Sequence, residues 1–319
     1  MTVAVYLCFV MLSCALMLGV FAWYTRGTVR RIEQALPPLG RMIDVDGQQL
    51  HVRDQGSGPP LVLLHGLGGQ MRHFDAGAMA DLRHDFRVIS VDRPGSGYSQ
   101  RDRHAPADLA AQARTVAALI GQLGLEQPTV VGHSLGGAVA LQLALDHPQA
   151  IGALALVAPL THMPDRVPSV FAALAIRPRW ICALFANALA LPATVIGGGR
   201  LMKQVFGPEP VPADFATRGG GLLALRPSQF LAAAADLQAL PTHLPRLAAR
   251  YRELTAPLSV LYGRDDALLD WRANGEALVR QVAGARLELV DGGHMLPITQ
   301  AARTADFIAA AAAARRLAA

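Results

Sequence analysis

Lysine is nearly missing from this 319-residue chain: Lys203 stands alone, and arginine supplies almost all of the 29 basic residues set against 24 acidic ones. The net charge of +5 is spread thin, with no dense basic run interleaved with aromatics, so no nucleic-acid partner is expected. Cysteine is scarce as well. Cys8 and Cys14 fall inside an apolar run and Cys182 is alone, which excludes a disulfide framework. There is no H-E-x-x-H, no paired C-x-x-C and no G-x-x-x-x-G-K, and Gly66, Gly68 and Gly69 do not complete G-x-G-x-x-G. Neither a metal nor a nucleotide cofactor is therefore expected. Charged residues make up only 17% of the chain against 52% hydrophobic ones, which excludes disorder and suits one large α/β domain with an insertion.

The longest gap in charge lies at the start, where Val3 to Tyr24 carries no charged residue. As a helix this stretch would extend about 33 Å, enough for a hydrocarbon core of roughly 30 Å. Residues 1–25 are thus expected to form a transmembrane anchor. A cleaved signal peptide is the competing reading, but the run lacks a basic start and an A-x-A-like site before Ala22-Trp23-Tyr24. Trp23 and Tyr24 suit an interfacial aromatic belt. Arg26, Arg30 and Arg31 follow them, which by the positive-inside rule favours a globular part on the cytoplasmic side.

Residues 26–40 read as a linker punctuated by Leu36-Pro37-Pro38-Leu39-Gly40, and no catalytic candidate precedes it. Two early strands are expected around Met42 to Val45 and Leu50 to Arg53. Leu61 to Leu64 and Phe86 to Val91 are continuous apolar runs suited to strands buried on both faces. A helical pattern over Ala105 to Leu123, a strand at Thr129 to Val131, a helix from Gly136 to Leu145 and a strand at Ala153 to Val157 continue the alternation of a wound, mostly parallel sheet. The rhythm breaks over residues 160–256, a proline-punctuated, alanine- and leucine-rich stretch carrying Phe171, Trp180, Phe185, Phe206, Phe215 and Phe230, expected to be a helical insertion. Strands return at Leu258 to Tyr262 and Leu287 to Val290, and an alanine-rich helix closes the chain from about Gln300. Residues 41–159 and 257–319 would form the two parts of one core.

Gly132-His133-Ser134-Leu135-Gly136-Gly137 sits between the strand Pro128 to Val131 and the helix that follows. A serine on so sharp a strand-to-helix turn needs small residues two positions either side, and its Oγ projects above a helix N-terminus. The plain alternative is a turn in which Ser134 only caps that helix; the flanking patterns weigh against it. A nucleophilic hydroxyl needs a base, and the base needs an acceptor that orients it. Asp265, Asp266 and Asp270 follow the strand ending at Tyr262-Gly263, and His294 follows the next one, in Asp291-Gly292-Gly293-His294. Serine, acid and histidine in that order, each just past a strand, converge on one edge of a parallel sheet. His65-Gly66-Leu67-Gly68-Gly69 follows the strand Leu61 to Leu64 and can turn backbone N–H groups toward the elbow, so the N–H groups of Leu67 and Leu135 are candidate oxyanion donors.

Taken together these motifs resemble the α/β-hydrolase superfamily in its cap-bearing branch. The His65-Gly66 loop, Asp92-Arg93-Pro94-Gly95-Ser96-Gly97-Tyr98-Ser99, the Gly132 to Gly137 elbow, Gly263-x-x-Asp266 and Gly292-Gly293-His294 match in order, from about Arg41 to the end of the chain. The resemblance implies an eight-stranded, mostly parallel sheet with helices on both faces and makes residues 160–256 a lid. It also assigns the acid to Asp266 by its spacing from Gly263 and treats Asp92 to Ser99 as a structural mark. Relatives in that branch that open epoxides or remove halides use aspartate where this chain has Ser134, so those chemistries are disfavoured. The expectation is a serine hydrolase, with Ser134, Asp266 and His294 as its triad, acting on a small apolar ester-like substrate through an acyl-enzyme. Perhydrolysis or carbon-carbon bond hydrolysis on the same residues, and a ligand-binding member without activity, are the alternatives.

Overall fold

The computed structural model describes residues 3–102, 104–164 and 168–318. Helix α1 (Val3–Ala35) comes first. Strands β1 (Arg41–Val45), β2 (Gln48–Gln55), β3 (Pro60–Leu64) and β4 (Arg87–Val91) follow. Then come α2 (Leu109–Gln122), β5 (Thr129–His133), α3 (Leu135–Asp146) and β6 (Ala153–Val157). After the insertion the chain resumes with β7 (Leu258–Gly263), β8 (Arg286–Val290) and a C-terminal helix, Ala301–Ala318.

The eight strands form one sheet in the order β1-β2-β4-β3-β5-β6-β7-β8. β2 runs against both of its neighbours, and every pairing from β4 to β8 is parallel. Because side chains alternate along a strand, the central strands feed two cores at once. Val62, Leu64, Val130, Leu154 and Leu156 pack with α2 and α3 on one face. Leu61, Leu63, Val131, Ala155 and Val157 pack with Phe74, Leu82 and Ile308 on the other. Continuous apolar runs without polar alternation follow from this two-sided burial.

Helix α2 begins at Leu109 rather than Ala105, because the Asp108 carboxylate accepts the Ala111 N–H at 2.9 Å and fixes the N-terminus there. The insertion carries a short 3-10 helix at Ser169–Ala175 and a long helix, α4 (Arg179–Phe206), with a π-helical stretch at Phe185–Leu189. A second 3-10 turn at Gly221–Leu225 leads to α5 (Pro227–Ala248), so the C-terminal helix is α6. Helix α5 runs through Pro241 and Pro245, which read as breaks in the sequence; burial of Leu240, Leu244 and Leu247 against the sheet core outweighs the two lost backbone hydrogen bonds.

The segment expected to be a linker, 26–40, is helical as far as Ala35. Nothing before Pro37 breaks the helix, and one face of it is covered. Ile32 and Leu36 bury against Leu223, Glu33 meets Arg226 at 3.3 Å, and the Tyr98 hydroxyl donates to the Leu36 carbonyl. Helix α1 also packs on Phe185–Leu189. Its first half, Val3–Met17, is exposed throughout, and its length and hydropathy make α1 a candidate membrane span.

Candidate active site

The parallel strands deliver their C-terminal ends to one edge, and each motif sits at such an end. Ser134 follows β5 with φ 54° and ψ −121°, a left-handed conformation that L-residues avoid. The turn that imposes it is packed to contact. A Cβ on Gly132 would lie 2.6 Å from the Gly136 carbonyl oxygen, and one on Gly136 would lie 2.1 Å from the Leu64 carbonyl oxygen. The strain is held by backbone bonds: Ser134 N–H donates to Val157 O at 3.1 Å, and the Ser134 carbonyl accepts from Gly137 and Leu160 at 2.9 Å each.

His294, beyond β8, meets Asp266, beyond β7, through Nδ1 and Oδ2 at 2.7 Å. The other Asp266 oxygen accepts the Leu268 and Leu269 N–H groups at 2.9 and 3.0 Å. With its side chain closed to water, Asp266 is held as an oriented acceptor, whereas Asp265 and Asp270 are exposed. The two loops touch so closely that a Cβ on Gly263 would fall 2.2 Å from the Gly292 carbonyl oxygen. His294 and Ser134 line the same cavity.

Gly66 stands against the elbow, a Cβ there meeting Ser134 Cβ at 2.9 Å. Leu67 and Leu135 border the cavity beside Ser134, and neither N–H donates to a backbone carbonyl among the described residues. The Leu135 N–H stands at the start of α3, where the helix adds partial positive charge.

Behind this loop lies an arrangement that the motifs do not announce. Arg93 is fully buried and donates to His65 O at 2.8 Å and Gly66 O at 3.0 Å, to Gln112 at 2.6 Å and to Asp236 of α5 at 2.9 Å. Its N–H donates to His65 Nε2 at 2.9 Å. That bond requires a neutral His65, and burial and the Arg93 charge push the His65 pKa well below its usual value. Asp92 accepts from Met71 N, Tyr98 N and His51. The Asp92 to Ser99 stretch therefore braces the His65-Gly66 loop and ties it to the insertion. His133 lies beside His294, ring centroids 4.9 Å apart, its Nε2 bonded to the His294 carbonyl at 3.0 Å; burial drives its pKa well down, keeping it neutral.

Glu209, in the insertion, accepts the Gly293 N–H at 3.0 Å and so fixes the residue before His294. Nothing in the sequence around Glu209 signals this role, because the contact depends on where the insertion folds back.

The cavity above Ser134 has a volume of about 450 Å³ and mostly apolar walls. Of the aromatic residues noted in the insertion, Phe171, Phe185, Phe215 and Phe230 line it; Phe206 is buried nearby and Trp180 faces out. Gln70, His73 and Arg200 are among its few polar members.

Fold and edge geometry together define a hydrolase, and the chain belongs to the alpha/beta hydrolase fold family, whose family model matches residues 59–301. An uncharacterised protein of Mycobacterium tuberculosis is 31% identical over 279 residues, spanning 84% of this chain and 79% of its own. A poly(3-hydroxyalkanoate) depolymerase of Ectopseudomonas oleovorans is 28% identical over 280 residues, 85% of this chain and 92% of that one. Among solved structures, a bacterial membrane phospholipase A superposes with a TM-score of 0.70 at 22% identity, covering 98% of both chains, a likeness of fold.

Proposed function

We propose that the protein is a serine hydrolase of apolar carboxylic esters, with Ser134 as nucleophile, His294 as base and then acid, and Asp266 as the group that orients His294. The observation that carries this reading is the 2.7 Å His294–Asp266 contact at the edge of an apolar cavity whose floor is the strained Ser134 turn. With Nδ1–H committed to Asp266, Nε2 is the basic nitrogen. Ser134 Oγ attacks the ester carbonyl as its proton passes to Nε2, and the oxyanion is held by the N–H groups of Leu67 and Leu135. Collapse expels the alcohol, which takes the proton from His294, and leaves an acyl-enzyme. Water, deprotonated by the same nitrogen, then attacks the acyl carbon and restores Ser134.

The walls support an apolar acyl or alkyl group, and the depolymerase relative is named for a polymer whose units are joined by esters. A second reading, carbon-carbon bond hydrolysis, draws on a 2-hydroxymuconate semialdehyde hydrolase of Pseudomonas putida that is 40% identical, but over only 39% of this chain. The apolar lining favours the ester.

The test is kcat/KM for p-nitrophenyl acetate, butyrate, hexanoate and octanoate in detergent solution. Each buried methylene contributes about 0.8 kcal/mol, so two added carbons are expected to raise kcat/KM about tenfold until the cavity fills. A steady fall from acetate onward refutes the apolar pocket. Ester turnover absent throughout, with cleavage of a vinylogous diketone, moves the reading to carbon-carbon hydrolysis.

A further inference from the structure

Helix α4 presents an unusual outer face. Residues 180–199 carry no charge, and no acidic residue occurs from 167 to 208. Trp180, Ile181, Leu184, Val195 and Ile196 point to solvent, with Trp180 71% and Ile196 88% exposed. The helix is long and apolar enough to qualify by composition as a membrane span, yet Cys182, Ala186, Ala188 and Leu191 are buried within the insertion. It cannot leave the domain to cross a bilayer. Arg177 and Arg179 precede the apolar stretch and Arg200 and Lys203 follow it, all four exposed.

Its position relative to α1 supplies a length argument. The part of α1 clear of the protein, Val3–Met17, is about 22 Å long at 1.5 Å per residue, short of a hydrocarbon core of roughly 30 Å. A span of about 20 residues reaches Ala22. Leu18, Phe21 and Ala22 already belong to the stripe of α1 shielded by the domain, which continues through Thr25 and Val29 to Ile32. Ile32 lies on Leu223, so the stretch above it is the part that meets Phe185–Leu189. If α1 spans, that stretch of α4 is carried to the boundary between acyl chains and headgroups.

We propose that α4 is an interfacial helix: with α1 in the membrane, its outer face from Trp180 to Ile196 lies in the acyl-headgroup boundary of a phospholipid leaflet. The occupant is a lipid surface because the face is continuous with the α1 span and its flanking cations match anionic headgroups, the pattern of helices that lie in a membrane plane. The opposite side of α4, through Ala190, Ala193, Thr194, Gly197 and Leu201, lines the cavity. An apolar substrate dissolved in the leaflet would thus reach the cavity past one helix. The proposal goes beyond the ester reading and rests on α1 being the anchor.

The test uses the full chain with Trp23→Phe and Trp271→Phe, which leaves Trp180 as its only tryptophan. It is reconstituted in phosphatidylcholine and phosphatidylglycerol vesicles with and without brominated acyl chains. The expected result is that the protein floats with the vesicles and that Trp180 emission falls at least twofold in brominated lipid while aqueous iodide has little effect. Adding Val195→Asp and Ile196→Asp should reverse that pattern while flotation persists. Flotation with iodide quenching and no bromine quenching overturns the proposal and leaves the anchor standing. Failure to float overturns both. Insensitivity to both quenchers, with a dimer that the two aspartates dissolve, assigns the face to a second copy of the chain and overturns the lipid assignment. Ester turnover of the floated protein reports separately on the proposed chemistry.

Discussion

Arg93 and Asp236 meet at 2.9 Å with side chains 0% and 1% exposed, one from the loop after β4 and the other from α5 of the insertion. Arg101 reaches the second Asp236 oxygen at 2.7 Å, so one carboxylate balances two arginines away from water. Burial lowers the Arg93 pKa and the Asp236 charge works against it. Removing one partner of a buried pair leaves an uncompensated charge, which costs about 3–5 kcal/mol. Asp236→Ala is therefore expected to lower the melting temperature by on the order of 10 °C, read by circular dichroism in detergent. An unchanged midpoint would show that the insertion is held by other contacts.

Ser134→Ala is expected to leave a folded protein with the parent melting temperature or slightly better, since it keeps the strained backbone and removes only Oγ. Ester hydrolysis should fall by about a million-fold, the scale for losing a serine nucleophile. A fluorophosphonate probe should label the parent on the peptide containing Ser134 and leave the variant unlabelled. Normal turnover by the variant would remove Ser134 from the mechanism.

Acid should destabilise the fold well before carboxylates titrate. Burial takes His73 from an ordinary 6.5 down to about 4. His65 and His133 are pushed down for the same reason. Between pH 6.5 and 4 the unfolded chain binds protons that the native state refuses, so stability is complete above that window and falls as pH drops through it. His73 alone accounts for at most about 3 kcal/mol of the loss. Urea midpoints at pH 7.5, 6, 5 and 4.5 check the slope; a flat series contradicts it.

Truncation separates the two halves of α1. Loss of residues 1–17, of which Val3–Met17 are exposed throughout, should release a protein with unchanged ester turnover. Loss of residues 1–40 also strips Ile32 and Leu36 from Leu223, and the Arg72 guanidinium from the Pro37 carbonyl. The shorter chain is expected to melt several degrees lower. Equal melting of the two forms would mean that these contacts contribute nothing.

The alternation of strands and helices past β2, the two-sided burial of β3 and β4, and the placing of an acid and of His294 each just past a strand were legible because each depends on local signals, apolar runs and the glycines that bound them; the choice of Asp266 among its neighbours came from the resemblance. The end of α1 was misread because the prolines at 37 and 38 mark only where a helix must stop, whereas its length is set by partners, Leu223 and Arg226, almost two hundred positions away. Arg93, Asp236 and Glu209 were missed as parts of the site for the same reason. Their roles arise from contacts with a fold of the insertion that no short pattern encodes.

Glu209 gives that dependence a practical edge. Its carboxylate holds the Gly293 N–H from within the insertion, while a Cβ on Gly293 would lie 2.0 Å from the Gly207 carbonyl oxygen. The insertion thus helps hold the loop that carries His294. A chimera that swaps residues 160–256 for the lid of another family member, made to borrow its substrate range, would carry away both the Glu209 clasp and the Asp236 counter-charge. Such a recombinant needs its crossover points drawn inside the insertion, so that 207–209 and 226–240 stay with the parent sheet and only the wall between them is exchanged.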